Sequence, residues 1–176
     1  MDGAVRLLGA VLAGGQSRRF GSDKALAMLD GRALIEHSVA ALGAQTEAVI
    51  ICGREGGIPD RPEPGLGPLG GINAAIHEAA ARGFDAVLTC GCDVPSLPDD
   101  LAWRLAGGGY LAEMPVIGLW PAKLAGHLDA WLAGSADRSV RGWAEAARIA
   151  RIALGRPIAN LNTPADLAAF SRGSGG

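Results

Sequence analysis

The feature that most constrains the fold of this chain is a set of three short apolar segments, each followed closely by glycine. They are residues 5–12, 48–52 and 86–90, and short, mainly apolar runs of this length are typical of strands buried on both faces of a parallel sheet. Residues 34–42 and 69–82 lie between them with helical spacing of apolar side chains. The alternation predicts an α/β fold: a single doubly wound, Rossmann-like domain with a mainly parallel sheet and helices on both faces.

The length of the chain, 176 residues, suits one domain with a substantial core. We expect residues 1–176 to form that domain, with residues 1–98 and 99–170 as its two halves and residues 171–176 as a loose tail. The second half is less regular. Its pattern predicts helices over residues 99–105, 121–132 and 139–149, strands over 115–120 and 149–154, and a last helix with Thr163 as cap and Pro164 at its first position.

The charge balance of the chain excludes some classes of partner. Its formal net charge is −2, which is not the basic surplus of proteins that bind nucleic acid or anionic membranes. No signal sequence opens the chain, and no apolar run approaches the roughly 18 to 20 residues that span a bilayer. We therefore expect a cytoplasmic protein that binds neither nucleic acid nor membrane.

Cysteine, histidine and tryptophan side chains are predicted to be structural. The three cysteines do not have the number or spacing of a zinc site, and the histidines show no repeated spacing and no acidic partner. The tryptophans all lie in the second half, where a place in the core is expected. These residues are Cys52, Cys90, Cys92, His37, His77, His127, Trp103, Trp120, Trp131 and Trp143.

A glycine-rich, cationic segment follows the first predicted strand. Residues 12–24 read Leu-Ala-Gly-Gly-Gln-Ser-Arg-Arg-Phe-Gly-Ser-Asp-Lys. Glycines let the backbone wrap closely around a ligand, and the cations match the charge of a nucleotide triphosphate. A glycine-rich turn with solvated charges is the alternative. The glycines and cations are Gly14, Gly15, Gly21, Arg18, Arg19 and Lys24.

Two further loops follow the second and third predicted strands, over residues 53–68 and 91–98. Ligands of such sheets bind beyond the carboxyl ends of the strands, so these loops should meet the first one there. Asp93 ends the third strand, where a carboxylate can hold Mg²⁺ together with phosphate oxygens and water, or can simply close the loop. Asp60 can accept hydrogen bonds from a base or a sugar, or serve as a turn residue.

Two glycine and asparagine motifs complete the candidate site. Gly67-Pro-Leu-Gly-Gly71 precedes the second helix, where its glycines allow close approach either to a nucleotide or to the sheet. Asn160 and Asn162 flank a leucine, so their amides should point the same way and reach metal, phosphate or a second substrate. Ordinary turn formation is the alternative for the asparagines.

With these motifs in place, the chain resembles the molybdenum cofactor guanylyltransferase family, whose members transfer GMP from GTP to molybdopterin. The resemblance covers nearly the whole chain. The first motif is shared with many nucleotidyltransferases, and the later motifs narrow the match. The motifs are residues 12–24, Gly67-Pro-Leu-Gly-Gly71, Cys92-Asp-Val-Pro95 and Asn160-Leu-Asn-Thr-Pro-Ala-Asp-Leu167.

The resemblance implies a nucleotidyltransferase with a GTP-binding first half and an acceptor-binding second half. GTP would lie against the backbone of the glycine-rich segment, and Mg²⁺ would be held by Asp93. Arg19, Lys24 and Asp93 would be the catalytic residues. Molybdopterin would be the acceptor, and molybdoenzymes or their chaperones would be partners. The residues implied to contact substrates are Leu12, Ala13, Gly14, Gly15, Lys24, Asp60, Asp93, Asn160 and Asn162.

The chain departs from the family pattern at two places. Cys52 stands where the family commonly has asparagine, and Met114 stands where a histidine often precedes the proline, after a shortened stretch. The first departure leaves a molybdopterin cytidylyltransferase open as an alternative. The second leaves open a non-catalytic nucleotide-binding protein that delivers cofactor.

Overall fold

The structure is a computed structural model that describes residues 4–15 and 23–173. Within these residues the chain alternates strands and helices. The strands are β1 Leu7–Leu12, β2 Met28–Leu29, β3 Arg32–Ala33, β4 Ala48–Cys52, β5 Ala86–Gly91, β6 Gly109–Leu111, β7 Gly118–Pro121 and β8 Ala150–Ile152. The helices are α1 Leu34–Gly43, α2 Pro68–Ala81, α3 Leu101–Arg104, α4 Ala125–Gly134, α5 Val140–Ala146 and α6 Pro164–Gly173, with short 3₁₀ turns at Lys24–Leu26 and Ala122–Leu124.

Six strands form one sheet in the order β4-β1-β5-β7-β6-β8. The first three are parallel, with Leu8 of β1 paired to Ala48 and to Val87. Strand β7 runs antiparallel to β5 and to β6, and β6 is parallel to β8. The sheet is therefore mainly parallel, and its two halves are joined through β5 and β7.

Two apolar cores cover the opposite faces of the sheet. Alternating side chains of β1 supply both: Leu8 and Ala10 belong to the core under α2 and α4, and Val11 belongs to the core under α1 and α3. This alternation follows from the pleat, which points successive side chains to opposite faces. The predicted α/β class with helices on both faces is confirmed.

Several elements differ from the sequence-based expectation. The helix predicted at 99–105 is a single turn, and the one at 121–132 begins with a 3₁₀ turn before α4. The β2–β3 hairpin was not predicted, although Asp30 and Gly31 supply the two positive φ angles, 48° and 80°, that its tight turn requires. Strand β6 is only three residues long and follows a glycine run, which hides its pattern. The tail expected to be loose from Ser171 is helical through Gly173.

Two of the structural side-chain predictions are wrong. Trp103 is 78% exposed, because α3 is too short to bring it to the sheet, while Trp120 and Trp143 are fully buried. His77 has an acidic partner: its Nε2 atom lies 2.9 Å from Oδ2 of Asp129 on α4, a contact that only the tertiary structure creates.

In the part of the chain that the structure describes, none of the helices has the length and apolar character needed to cross a membrane.

Candidate active site

A cavity of about 830 Å³ opens at the carboxyl ends of β1, β4 and β5. The three predicted loops meet there, as expected for a doubly wound sheet. Six residues predicted from the sequence line the cavity, together with parts of the Gly67-Pro-Leu-Gly-Gly71 motif. The six are Leu12, Gly14, Gly15, Lys24, Asp60 and Asp93.

Two glycines in the loops that follow the neighbouring strands β1 and β4 approach each other closely. A Cβ atom built on Gly53 would lie 2.8 Å from the Cα atom of Gly14, and Gly53 has a φ of +82°. Both conditions favour glycine, since other residues rarely adopt that φ and would collide with the neighbouring backbone. The close approach keeps the cavity floor free of side chains.

The Asp60 carboxyl group is enclosed by glycines. A Cβ built on Gly14, Gly53, Gly70 or Gly71 would lie 3.6, 3.0, 3.2 or 3.5 Å from one of its oxygens. Burial in this glycine-lined site raises the pKa of Asp60 above its ordinary value. The carboxyl group therefore lines the cavity as a hydrogen-bond acceptor whose ionisation is disfavoured by its surroundings.

Lys24 joins two oxygen groups from distant parts of the chain. Its Nζ atom donates to Oδ2 of Asp93 at 2.7 Å and to Oδ1 of Asn162 at 2.8 Å. The side chains of Lys24 and Asp93 are only 13% and 22% exposed, so this ion pair is better protected from solvent than the usual surface pair. A carboxylate and an amide oxygen thus converge on one cation.

Backbone hydrogen bonds hold the two oxygen groups in place. The backbone N–H of Leu161 donates to the Asp93 carbonyl oxygen at 2.9 Å, and the buried Ser38 hydroxyl donates to the Val94 carbonyl oxygen at 2.9 Å. On the other side, Oδ2 of Asp166 accepts from the backbone N–H groups of Asn162 and Thr163, each at 2.8 Å. The Thr163 hydroxyl in turn accepts from the backbone N–H of Asp166 at 3.1 Å, so the two residues form a capping box at the start of α6 that fixes the backbone carrying the Asn162 amide.

Lys24 is positioned by a short capped turn. The Asp23 carboxylate accepts from the backbone N–H of Ala25 at 3.1 Å, which caps the 3₁₀ turn Lys24–Leu26. The same carboxylate pairs with Arg54 at 2.8 Å. The turn that carries Lys24 is thereby tied to the loop that follows β4.

Two predicted residues, Ala13 and Asn160, are placed differently from the rest. The backbone N–H of Ala13 donates to the Cys52 carbonyl oxygen at 2.9 Å, so it is already used by the sheet edge. Asn160 is exposed and is not one of the residues that line the cavity, unlike its expected position beside Asn162. Arg19 lies outside the described residues.

The cavity is also lined by Cys52, which the sequence singled out only as a departure from the family pattern, and by Val116, which sequence reasoning missed. Cys52 is fully buried, and burial raises the pKa of its thiol to about 12. The thiol is therefore neutral and unreactive at neutral pH. Val116 comes from the second half, and its carbonyl oxygen accepts from the Thr89 hydroxyl at 2.7 Å. Thr89 also accepts from Nε1 of Trp120 at 2.8 Å, which anchors this wall in the core. The one available signal was the place of Val116 within the predicted strand 115–120.

The oxygen groups around Lys24 are the candidate ligands for a metal ion. Among residues 4–15 and 23–173, no three His, Cys, Asp or Glu side chains are grouped to share a metal. Mg²⁺ does not need such a group, because it takes one or two protein carboxylates and fills its other positions with phosphate oxygens and water. The Asp93 carboxylate and the Asn162 amide oxygen are hard donors that suit it.

A glycine-lined cavity and a lysine–carboxylate pair at the carboxyl edge of a doubly wound sheet define a nucleotide-binding α/β protein. The family model described as "MobA-like NTP transferase domain" matches residues 9–149. The chain belongs to that family.

Two relatives and one solved structure are similar to this chain over nearly its whole length. The molybdenum cofactor guanylyltransferase of Rhodobacter capsulatus is 39% identical over 93% of this chain and 94% of its own length. That of Cereibacter sphaeroides (strain ATCC 17029 / ATH 2.4.9) is 41% identical over 93% and 95%. The predicted family resemblance is therefore confirmed. Molybdopterin-guanine dinucleotide biosynthesis protein A from Archaeoglobus fulgidus shares the fold, with a TM-score of 0.68 at 23% identity over 95% of this chain and 98% of that one.

Proposed function

We propose that this protein transfers GMP from GTP to the terminal phosphate of molybdopterin and releases pyrophosphate. The observation that carries the proposal is the Lys24–Asp93 pair, with 2.7 Å between Nζ and Oδ2, inside a glycine-lined cavity at the strand ends. The names of the relatives support GTP as donor and molybdopterin as acceptor.

The nucleotide would occupy the side of the cavity formed by β1, β4 and the start of α2. Gly14 and Gly15 offer a backbone surface there, and a Cβ on Gly15 would meet no described atom within 4 Å. The Leu12 side chain packs near Gly71, and Ala13 contributes through its carbonyl group, since its N–H is used by Cys52. The Asp60 carboxyl group would accept hydrogen bonds from the base or the sugar.

The reaction is an in-line displacement at the α-phosphorus of GTP. A terminal phosphate oxygen of molybdopterin forms the new P–O bond while the bond to the β-phosphate breaks, and the electron pair leaves with pyrophosphate. A phosphate monoester with a second pKa of about 6 is already largely dianionic at neutral pH, so no general base is needed. Among the described residues that line the cavity, none is a histidine, which is consistent with this chemistry.

The main task of the protein is to bring two anions together. A pair of like charges at 4 Å costs about 1 kcal/mol in water and about 4 kcal/mol at an effective dielectric constant of 20. Lys24 would move from Asp93 to the phosphates and offset this repulsion, and Arg19 would add a second cation. Mg²⁺, held by Asp93 when bound, would supply further positive charge at the phosphates.

The second half would bind the acceptor. Asn162 reaches the cavity through its contact with Lys24, and Asn160 lies two residues earlier on the exposed side of the same loop. Together with Val116 they would bind the acceptor on the side of the cavity opposite the nucleotide. We also propose that the protein acts in the cytoplasm and that its product passes to molybdoenzymes or their chaperones.

Two substitutions test the reaction directly. Lys24→Met and Asp93→Asn should reduce transfer of label from α-labelled GTP to molybdopterin by at least about 100-fold. The first removes a cation from the transferring phosphate, and the second removes the carboxylate that would hold Mg²⁺ there. Lys123→Met and Asp99→Asn change exposed residues away from the cavity and should have near-normal rates. Undiminished turnover in either site variant contradicts the mechanism.

A nucleotide comparison separates the proposal from its alternatives. GTP should raise the melting temperature more than CTP, ATP or UTP at equal concentration with Mg²⁺, because the tightest ligand stabilises most. A larger shift with CTP would indicate a cytidylyltransferase, which the Cys52 departure leaves open. Tight GTP binding without pyrophosphate release in the presence of molybdopterin would indicate the delivery protein instead.

A further inference from the structure

The Lys24 ammonium already occupies the place where two oxygen groups meet. Its distances to Asp93 Oδ2 and Asn162 Oδ1 are 2.7 and 2.8 Å, and the three side chains come from three separate segments of the chain. An ammonium has three donors, so one Lys24 can satisfy both oxygens at once. The candidate metal ligands therefore already share a cation.

We propose that Lys24 acts as an internal stand-in for the divalent cation and keeps free Mg²⁺ off Asp93 until a triphosphate arrives. The proposal rests on the proposed function, because it assumes that a nucleotide triphosphate enters this cavity. Metal and nucleotide then bind together rather than metal first.

The physical reason is competition between two cations for the same oxygens. Free Mg²⁺ gives up hydration water reluctantly, and with Asp93 and Asn162 it would also have to displace a lysine that is mostly shielded from solvent. If both cations stayed, their charges would repel at short range. Metal binding without nucleotide is therefore weak.

A triphosphate removes this obstacle by giving Lys24 another partner. Its oxygens attract the ammonium, which can swing away on its flexible stem, and they also complete the coordination of the metal. The Asp93 carboxylate is released at the moment when phosphate oxygens become available. Exchange of the lysine thus couples metal binding to nucleotide binding.

The two oxygen groups do not depend on Lys24 for their position. The Asp93 backbone is held by Leu161 N–H, and the Asn162 backbone is held by the Asp166 carboxylate. Removal of the lysine charge should therefore leave the oxygen pair in place and open to a metal. This makes neutral variants at residue 24 informative.

The test measures Mn²⁺ binding in the absence of nucleotide, by electron paramagnetic resonance of free Mn²⁺. Lys24→Met should bind one Mn²⁺ about tenfold more tightly than the unmodified protein, because the competing charge is gone. Lys24→Arg keeps the charge and should bind as weakly as the unmodified protein. Lys123→Met controls for loss of a lysine elsewhere, and Lys24→Met with Asp93→Asn should lose the gain.

The outcome that overturns the proposal is a folded Lys24→Met protein that binds Mn²⁺ no more tightly than the unmodified protein. Circular dichroism checks folding, and Lys24→Gln provides a second neutral variant if the methionine variant does not fold. GMP transfer by the unmodified protein is measured separately. Normal transfer without the Mn²⁺ gain rejects only the stand-in role, whereas the gain without transfer supports that role and rejects the proposed function.

Discussion

A Cβ atom on Gly53 would lie 2.8 Å from the Cα atom of Gly14, which places the first turns after β1 and β4 in direct backbone contact. The same turn holds Asp60 close by, since that Cβ would also lie 3.0 Å from Oδ1 of Asp60. Glycine at position 53 is therefore required by space as well as by its φ of +82°.

Gly53→Ala should destabilise the protein more than Gly56→Ala. Both glycines have positive φ, +82° and +80°, but a Cβ on Gly56 would meet nothing within 4 Å. The Gly56 variant should lose about 1 kcal/mol of unfolding free energy from backbone strain alone, and the Gly53 variant clearly more. Urea denaturation measures both, and equal losses would show that the contact with Gly14 relaxes without cost.

Asp60→Asn should stabilise the protein at neutral pH. Burial raises the pKa of Asp60 above 3.8, so the folded state loses stability as pH rises from that value through the raised pKa. The uncharged amide avoids this loss, and its advantage should vanish below pH 3.8, where both forms are neutral. Melting temperatures across this range test the sign.

The same Asp60→Asn variant should bind GTP more weakly, because it replaces one acceptor oxygen with a donor. Asp99→Asn is the matched control on an exposed loop, and it should change neither property. A variant at position 60 that is less stable than the unmodified protein at pH 7 would contradict the assigned cost of ionisation.

Ser38→Ala should loosen the loop that carries Asp93. The Ser38 hydroxyl is fully buried and donates to the Val94 carbonyl oxygen at 2.9 Å, so its removal leaves a buried acceptor unpaired. We expect a loss of about 1 to 3 kcal/mol in the free energy of unfolding. Ser96→Ala, on the exposed side of the same loop, should leave the free energy of unfolding nearly unchanged. An equal loss in that variant would contradict a specific role for the Ser38 hydrogen bond.

Asp166→Ala should lower stability mainly above pH 4. Hydrogen bonds from the backbone N–H of Asn162 and from Thr163 keep the pKa of Asp166 below its ordinary value of 3.8. Its stabilising effect is therefore present above pH 3.8 and is lost as pH falls through the lowered pKa. The difference in melting temperature between variant and unmodified protein should shrink in acid. A constant difference would argue against stabilisation by the ionised Asp166 carboxylate.

The sequence predicted the strands and the loops at their carboxyl ends because short apolar runs and glycines are local signals. It could also place Lys24, Asp60 and Asp93 in one region through the topology of a doubly wound sheet. The contact between Gly14 and Gly53 depends on the distance between two turns, which no local pattern encodes.

Other features needed the tertiary structure for similar reasons. Val116 enters the cavity because β7 runs antiparallel to β5, whereas the alternation of strands and helices predicted only parallel neighbours in the first half. Asn160 and Asn162 alternate in sequence, but the segment that carries them is a loop, so the period of a strand does not set their directions.

The pairing of β5 with β7 runs through four residue pairs, from Ala86 with Pro121 to Thr89 with Gly118. This ladder makes the two halves one continuous sheet, so they cannot open and shut like a clamshell about a hinge. Hydrogen exchange in β5 and β7 should consequently stay slow throughout turnover.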